Sequence, residues 1–600
     1  MERQALLARA AAAFAAQDLA AAERDCRTLL ASAGDDPDAT HLMGLICRRR
    51  GDPAGAEAFL LRSLQAAPGR AEFRANFGNL LRSTGRSGEA EQQYRAAIDL
   101  DPAARPARLA LARLLLESGR PEQAAAEARL LTTRNPQDAE AWQVLGSAQR
   151  ALGRLDDAES SLRRSLALRP GYAVARHNLG ALLGQMQRAE ESLRELEAAA
   201  ALGVTGRELQ FNRARALLEL GRLEEAQAAL RAALQAAPGD IDSHMLLAKL
   251  LFMRGEPDFL RDFRQAAMHP DRLELRLAFG DLLRRSGRLE EAEAEVRAFI
   301  AGHGWSPALG ASLAVVLQEQ GRLDEARREG ARALDARPHD PEIVANQVAV
   351  LLQLGEHALA LPLVLDQRRR SPLDQRWLAY EATASRIAGT ARYRELYDYG
   401  RFVRQYELQA GSAWPSIAAL HAELVPRLVE RHRFENHPLD QSLRLGSQTS
   451  RSLLADPDPV IRDVVRAFEA PITAYRAEIG ADPAHPYLAR NQGRTRLTGC
   501  WSVRLRRGGY HVNHVHPEGW ISSAYYVEVP AETADPSLRS GWIKFGEPRM
   551  PVPGLGPDHL VQPQAGRLVL FPSYMWHGTT PISGDEPRMT IAFDAVTEAV

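Results

Sequence analysis

One period dominates this sequence. Glycines recur every 34 residues at Gly51, Gly85, Gly119 and Gly153, Gln187 takes the next place, and Gly221 and Gly255 follow. After a slip of two residues to Gly287 the register resumes at Gly321, Gly355 and Gly389. Prolines form a second comb 17 residues behind the first, at Pro68, Pro102, Pro136, Pro170, Pro238, Pro338 and Pro372. Proline cannot continue a helix and glycine is the commonest residue just past a helix end, so the interleaved combs predict pairs of short helices. A unit of this size cannot bury its own apolar face alone. Copies have to stack, which commits the first two thirds of the chain to an α-solenoid.

Alanine stands five residues after the glycine at Ala56, Ala90, Ala124, Ala158, Ala226 and Ala326, where a small side chain lets two helices approach closely. With Gly44, Gly78, Gly146 and Gly180 in the first helix and Tyr94 and Ala97 in the second, the pattern resembles the tetratricopeptide repeat. The resemblance predicts a solenoid over residues 1–398, about twelve helix pairs by this spacing. It implies a concave groove for an extended or helical peptide, so a protein or peptide is the expected partner. A bare scaffold or an oligomerisation surface is the alternative, since repeat architecture alone names no ligand.

The 600 residues are 45% apolar and 25% charged, which excludes wholesale disorder and fibrous classes. Basic and acidic residues balance, 75 against 76, so nothing in the charge advertises nucleic acid or an anionic membrane, and neither is expected as a partner. Only Lys249 and Lys544 are lysines. Cys26, Cys47 and Cys500 are few, odd in number and without metal spacing, which suits a reducing compartment. The Ala10–Ala16 stretch is read as amphipathic helix rather than signal peptide, so a cytoplasmic location is expected.

From about residue 400 the period stops. Nine of the sixteen histidines, five of the eight tryptophans and seven of the thirteen tyrosines fall in the last 200 residues, which marks a second domain, 399–600. Residues 415–480 read as helical around a polar segment, Gln441–Thr449. Short β-rich runs follow at Cys500–Leu505, Tyr510–Val515, Ile521–Val529, Trp542–Phe545, Arg567–Phe571 and Met589–Phe593, separated by glycine- and proline-bearing turns. Many short strands with long hairpins predict an all-β jelly roll with flanking helices.

Histidines crowd one strand end. Alternation puts His514 and His516 on one face, with His511 and Asn513 on the other. His577, beyond the strand Leu568–Phe571, can return to the same mouth, and three imidazoles on one face would hold a metal with coordination positions left open. Arg588 and Thr590 share a strand face eleven and thirteen residues further on. A guanidinium fork with a neighbouring hydroxyl suits the distal carboxylate of a dicarboxylic acid.

The words Gly446-Ser447-Gln448-Thr449, Gly508 to Tyr526, Pro572 to His577 and Arg588-x-Thr590 resemble the 2-oxoglutarate- and Fe(II)-dependent oxygenases, in particular the bacterial group attached to tetratricopeptide repeats. The resemblance implies a double-stranded β-helix, Fe(II) and 2-oxoglutarate as cofactors, O2 as co-substrate, and hydroxylation of a C–H bond, with His514, His516 and His577 as metal ligands. It implies Arg588 and Thr590 as the 2-oxoglutarate anchor. Trp520, Tyr525 and Tyr526 are candidate pocket residues. The superfamily pattern, however, is His-x-Asp/Glu with a distal His. His516-Pro517-Glu518 also fits it, so Glu518 is an alternative ligand, disfavoured because Pro517 and Gly519 are expected to turn its carboxylate to solvent. A three-histidine set also suits zinc, so a zinc or manganese cupin-like enzyme is one alternative and a non-catalytic scaffold with a ligand-binding jelly roll another. Lys544 is a lesser candidate anchor, and His485 and His559 are expected in solvated loops.

Overall fold

In the computed structural model, residues 2–34, 36–269, 272–410, 414–432, 434, 439 and 441–598 are described. Helices pair in sequence order from Glu2–Ala15 with Leu19–Ala33 to Arg376–Ile387 with Ala391–Leu396, twelve pairs among the described residues. Each comb glycine sits just past a helix end at φ between +66° and +80°. There the next amide reaches back to the last turn, as Arg86 N donates to the Leu81 carbonyl at 2.9 Å, a closure that glycine accepts without steric cost. Gln187, in the one comb place without glycine, adopts the same left-handed conformation at φ 60°, and Arg188 N closes on Leu183 O at 2.9 Å. The backbone geometry is therefore imposed by the repeat, whatever the residue.

Inside the pairs, small residues set the spacing. A Cβ on Gly78 would meet the Tyr94 ring at 2.6 Å, and one on Gly44, Gly146 or Gly180 would meet Leu60, Leu162 or Leu196 at 2.7 Å. The first helix thus uses its missing side chain to seat a large one from the second. Where an arginine follows the comb position it can tie neighbouring repeats: Arg188 bonds Glu159 of the preceding pair and Glu191 of its own, both at 2.6 Å, and Arg322 does the same with Glu293 and Glu325.

By contact density the chain forms two compact units, residues 2–216 and 217–600. The first is solenoid throughout. The second joins the remaining helix pairs to the β domain through one hydrophobic core that runs from Val344 to Ala595 without a break at the expected 398/399 boundary. Trp576 donates its indole N–H to Thr383 at 3.0 Å, and the Tyr397 hydroxyl takes the Trp576 amide at 2.8 Å. The change of secondary structure near residue 400 is consequently not a change of core.

Among the described residues the β domain contains nine strands: β1 (Arg404–Glu407), β2 (Leu443–Gln448), β3 (Arg494–His511), β4 (Ile521–Glu528), β5 (Ile543–Phe545), β6 (His559–Val561), β7 (Arg567–Pro572), β8 (His577–Thr579) and β9 (Arg588–Glu598). Six form an antiparallel sheet in the order β1-β7-β4-β9-β3-β2, three form a second sheet in the order β6-β5-β8, and helices Ile417–Val429, Pro459–Ala467 and Glu469–Ile479 flank them. This is the double-stranded β-helix. The polar segment 441–449, read as lying between helical stretches, carries strand β2 (Leu443–Gln448), paired with β3 and bulged at Leu445, where φ is 50°.

Candidate active site

The end of β3 and the start of β8 bring the histidines together. His514 and His577 form a bridge in which each amide donates to the other's carbonyl, at 2.9 and 3.1 Å. His516 follows two residues on. One nitrogen from each of His514, His516 and His577 lies within 4.8 Å of the others. In all three rings Nδ1 is engaged: on Val512 O for His514 (2.9 Å), on Met575 O for His577 (2.9 Å) and on the Asp594 carboxylate for His516 (2.6 Å). A proton held on Nδ1 by an acceptor leaves Nε2 as the nitrogen that carries the lone pair, which is the tautomer a metal needs.

Burial, with the neighbouring His516 ring, pushes His514 down to about 3, and burial with His514 and His516 pushes His577 far below the usual histidine range. Both rings are neutral at physiological pH. For His516 burial pulls in the same direction, but Asp594 outweighs it and raises the ring. Asp594 is itself pushed up by burial and pulled further down by His516 and by the Ser522 hydroxyl at 2.7 Å. Three donors with acceptor-fixed tautomers and one buried carboxylate behind them are a set that Fe(II) or Zn(II) accepts.

Arg588 opens β9. It is 2% exposed; Nη1 donates to Gly541 O at 2.5 Å, and Nε has no partner among the described residues. Burial lowers its pKa, with Tyr526 opposing. Its guanidinium lies over the Tyr526 ring at 5.5 Å, and the Tyr526 hydroxyl is also buried without a partner among the described residues. Arg588, Tyr526 and Thr590, which pairs with Tyr526 in the β4–β9 register, all line the cleft that holds the histidines. Two orphaned donors on a buried cation and a phenol are what a carboxylate ligand would satisfy.

The other candidate residues part company here. Glu518 is exposed in the turn after Pro517 and is not in the histidine cluster. Trp520 and Tyr525, candidate pocket residues, do not line the cleft: Trp520 is buried against Tyr487 and donates to its carbonyl at 3.1 Å, and the Tyr525 hydroxyl meets His421 Nε2 at 2.6 Å beside Phe468. Tyr525 thus packs in the core under the flanking helices, while Tyr526, on the other face of β4, lines the cleft. Lys544 is ion-paired with Glu547 and is absent from the cleft lining. His559 stacks on Tyr399 at 4.7 Å, and His485 is half-buried, its Nε2 3.2 Å from the Glu395 carbonyl. His511, expected on the opposite face from His514, lines the cleft: the chain bends after β3, and the Ser442 hydroxyl sits between His511 Nδ1 (2.9 Å) and His514 Nε2 (3.3 Å).

Sequence reasoning missed Asp594 and Ser442. Asp594 had a signal: period two from Arg588 runs through Thr590 and Ala592 to Asp594 on one face of β9, and all four line the cleft. Ser442 had none, because its place depends on the β2–β3 pairing. The cleft, about 1230 Å³, is built from two sides. The β domain supplies the residues above; the solenoid helices supply Phe252, Arg284, Arg285, Leu289 and Glu319.

A β-helix with three clustered histidines that could hold a metal and a buried arginine, fused to stacked helix pairs, defines a repeat-bearing protein with a candidate metal-binding jelly roll. The comparisons agree: the family model described as "Putative 2OG-Fe(II) oxygenase" matches residues 499–594, and tetratricopeptide-repeat models match 7–71, 81–148, 139–172, 207–250, 277–341 and 311–374. The chain carries tetratricopeptide repeats over its N-terminal part and a C-terminal 2-oxoglutarate/Fe(II) oxygenase domain. No curated protein matches it. Among solved structures, a thermophilic tetratricopeptide protein of Thermus thermophilus is 27% identical, with a TM-score of 0.28, over 30% of this chain and 99% of its own. A repeat protein from Parabacteroides merdae is 16% identical, with a TM-score of 0.35, over 42% and 99%, and yeast Tom70 is 14% identical, with a TM-score of 0.36, over 66% and 97%.

Proposed function

We propose that the protein is a 2-oxoglutarate- and Fe(II)-dependent dioxygenase that hydroxylates a side chain of a polypeptide recruited by its repeats. The observation that carries this reading is the joint one: three metal-ready Nε2 atoms and a buried arginine with unsatisfied donors line one cleft whose far wall is solenoid. Fe(II), 2-oxoglutarate and O2 together supply the oxidising equivalents that turn a substrate C–H into C–OH, releasing succinate and CO2.

The chain's own residues do the rest. His514, His516 and His577 hold the metal through Nε2, and Asp594 keeps His516 in the required tautomer. Arg588 receives the distal carboxylate of 2-oxoglutarate, with the Thr590 and Tyr526 hydroxyls as further donors. Met589 and Ile591, on the opposite face of β9, are buried in the core behind the strand that carries Arg588 and Thr590. The carboxylate that the superfamily places on the metal stands here one ring away, in Asp594. Three neutral imidazoles leave Fe(II) at +2, which the 2-oxoglutarate dianion balances, and Asp594 adds one negative charge outside the coordination sphere. Free Cys26, Cys47 and Cys500 fit a cytoplasmic home.

The test is aerobic turnover of the purified full chain with Fe(II) and 2-oxoglutarate, following succinate. The reading expects succinate from the native chain and none from His577→Ala or Arg588→Ala at unchanged helical content. A donor set without carboxylate favours one second reading, a zinc enzyme of cupin type. Zinc retained through chelation, with no succinate under Fe(II), would select it.

A further inference from the structure

The cleft is too large for its cofactor alone. At about 1230 Å³ it exceeds the ~300–1,000 Å³ typical of sites for drug-sized ligands, whereas 2-oxoglutarate is a five-carbon acid seated at the Arg588 end. What fills the rest must suit the charges on its walls. The lining has five arginines, no lysine and three carboxylates. Two of the carboxylates are already engaged, Asp594 with His516 at 2.6 Å and Glu319 with Arg284 at 2.5 Å. Only Glu518, exposed at the mouth, is left.

The arginines differ from one another. Arg284 and Arg285 share Asp281, at 2.7 and 2.6 Å, and Arg588 belongs to the cofactor end. Arg444 and Arg549 have no carboxylate partner among the described residues. Arg444, half-buried on β2, spends Nη1 on the Gln441 and Leu443 carbonyls at 2.8 and 2.7 Å, which fixes the guanidinium without neutralising it. Holding a cation partly out of water without an anion is costly, and a fixed fork presents its remaining N–H groups in the geometry that a carboxylate accepts. Arg549 is exposed, lines the same cleft and lies close enough to Arg444 for their charges to interact, so the two place unneutralised positive charge on its wall.

We infer that Arg444 and Arg549 receive the carboxylates of an acidic polypeptide segment, which they hold against the solenoid wall while a neighbouring side chain reaches the three imidazoles. This rests on the oxygenase reading for what happens to that side chain, but not for the binding itself. The occupant is a segment rather than a small acid because the wall opposite is helix Leu273–Arg285 and its following turn, so ligand and repeats share one space.

The experiment measures fluorescence anisotropy of a labelled alternating Glu-Ala peptide on the full chain, against Gln-Ala and Lys-Ala peptides of equal length. Two charge-assisted contacts predict that Glu-Ala binds at least about tenfold tighter than Gln-Ala, with Lys-Ala excluded. The double variant R444Q/R549Q brings the ratio near one. Because Arg444 anchors β2 and its replacement can unfold that strand, R549Q alone, at an exposed position, must also lower the ratio by about threefold. Equal binding of Glu-Ala and Gln-Ala by the native chain overturns the inference. So does an R444Q chain that loses 2-oxoglutarate affinity and keeps the peptide ratio, which would make Arg444 a cofactor anchor. Succinate formation without a peptide preference refutes this inference alone; a peptide preference without succinate refutes the oxygenase and leaves acidic-segment binding standing.

Discussion

Asp594→Asn separates charge from geometry at the metal centre. The native carboxylate accepts from His516 Nδ1 at 2.6 Å and from Ser522 Oγ at 2.7 Å, and is itself buried. Asparagine keeps a carbonyl oxygen for Nδ1–H and a group of the same shape for Ser522, which also retains Ser573 Oγ at 2.9 Å. What it loses is the negative charge that raises the basicity of the ring. Loss of a partner behind a metal-bound histidine costs about 10–100-fold in affinity. With geometry kept, Asp594→Asn should fall near the lower end, about tenfold or ~1.4 kcal/mol, and Asp594→Ala near the upper end, ~2.7 kcal/mol. The assay is Co(II) titration of the full chain against a competing chelator, read from the visible ligand-field bands, with far-ultraviolet circular dichroism to show that the fold is intact. If both variants hold Co(II) within about twofold of the native chain, Asp594 does not support the metal site and the charge argument fails.

Other consequences follow from the same structure. His41, stacked on Phe73, and His432, between the Ser447 and Ser502 hydroxyls, are each pushed down to about 4 by burial, so the unfolded chain binds more protons than the folded one below about pH 6.5. Stability is therefore full above that pH and falls as pH drops; at pH 5 each histidine should cost about 2 kcal/mol, visible as a lower urea midpoint that His432→Gln partly restores for the C-terminal unit. Gly78→Ala drives a methyl into Tyr94 and should destabilise the N-terminal unit by about 1–3 kcal/mol in the same titration. Gln187→Gly relieves a left-handed glutamine and should stabilise it by roughly 0.5–1 kcal/mol. A fragment of residues 399–600 loses Trp377 and Tyr380 from its core and Thr383 as the partner of Trp576, and should show no cooperative melt, whereas residues 217–600 should melt as one unit.

Much of this was legible in residue spacing, because repeats and strands impose fixed periods. The comb of glycines reads directly as a series of left-handed helix ends, and even Gln187 obeys it. The runs around Tyr510 and Ile521 read as strands, and His514, His516 and His577 as one mouth. What the spacing could not carry is long-range pairing. Strand β2 has a polar sequence, and its identity comes from its partner β3; Ser442 and Arg444 enter the cleft only through that pairing. His511 looked opposed to His514 because alternation holds inside a strand and fails where the chain bends. Tyr525 read as a candidate pocket residue because one sequence does not show which sheet face a distant helix covers. Nor could it show that a core would run unbroken from Val344 to Ala595 across a change in secondary structure.

The central claim is that this chain's three histidines and Arg588 hold Fe(II) and 2-oxoglutarate together. Anaerobic titration of the full chain with Fe(II), followed by 2-oxoglutarate, tests it most directly. The account predicts a visible metal-to-ligand charge-transfer band that saturates at one equivalent of Fe(II), is absent in His577→Ala, and needs much more 2-oxoglutarate in Arg588→Ala. No band in the native chain at saturating concentrations, or a band indifferent to both substitutions, would contradict it.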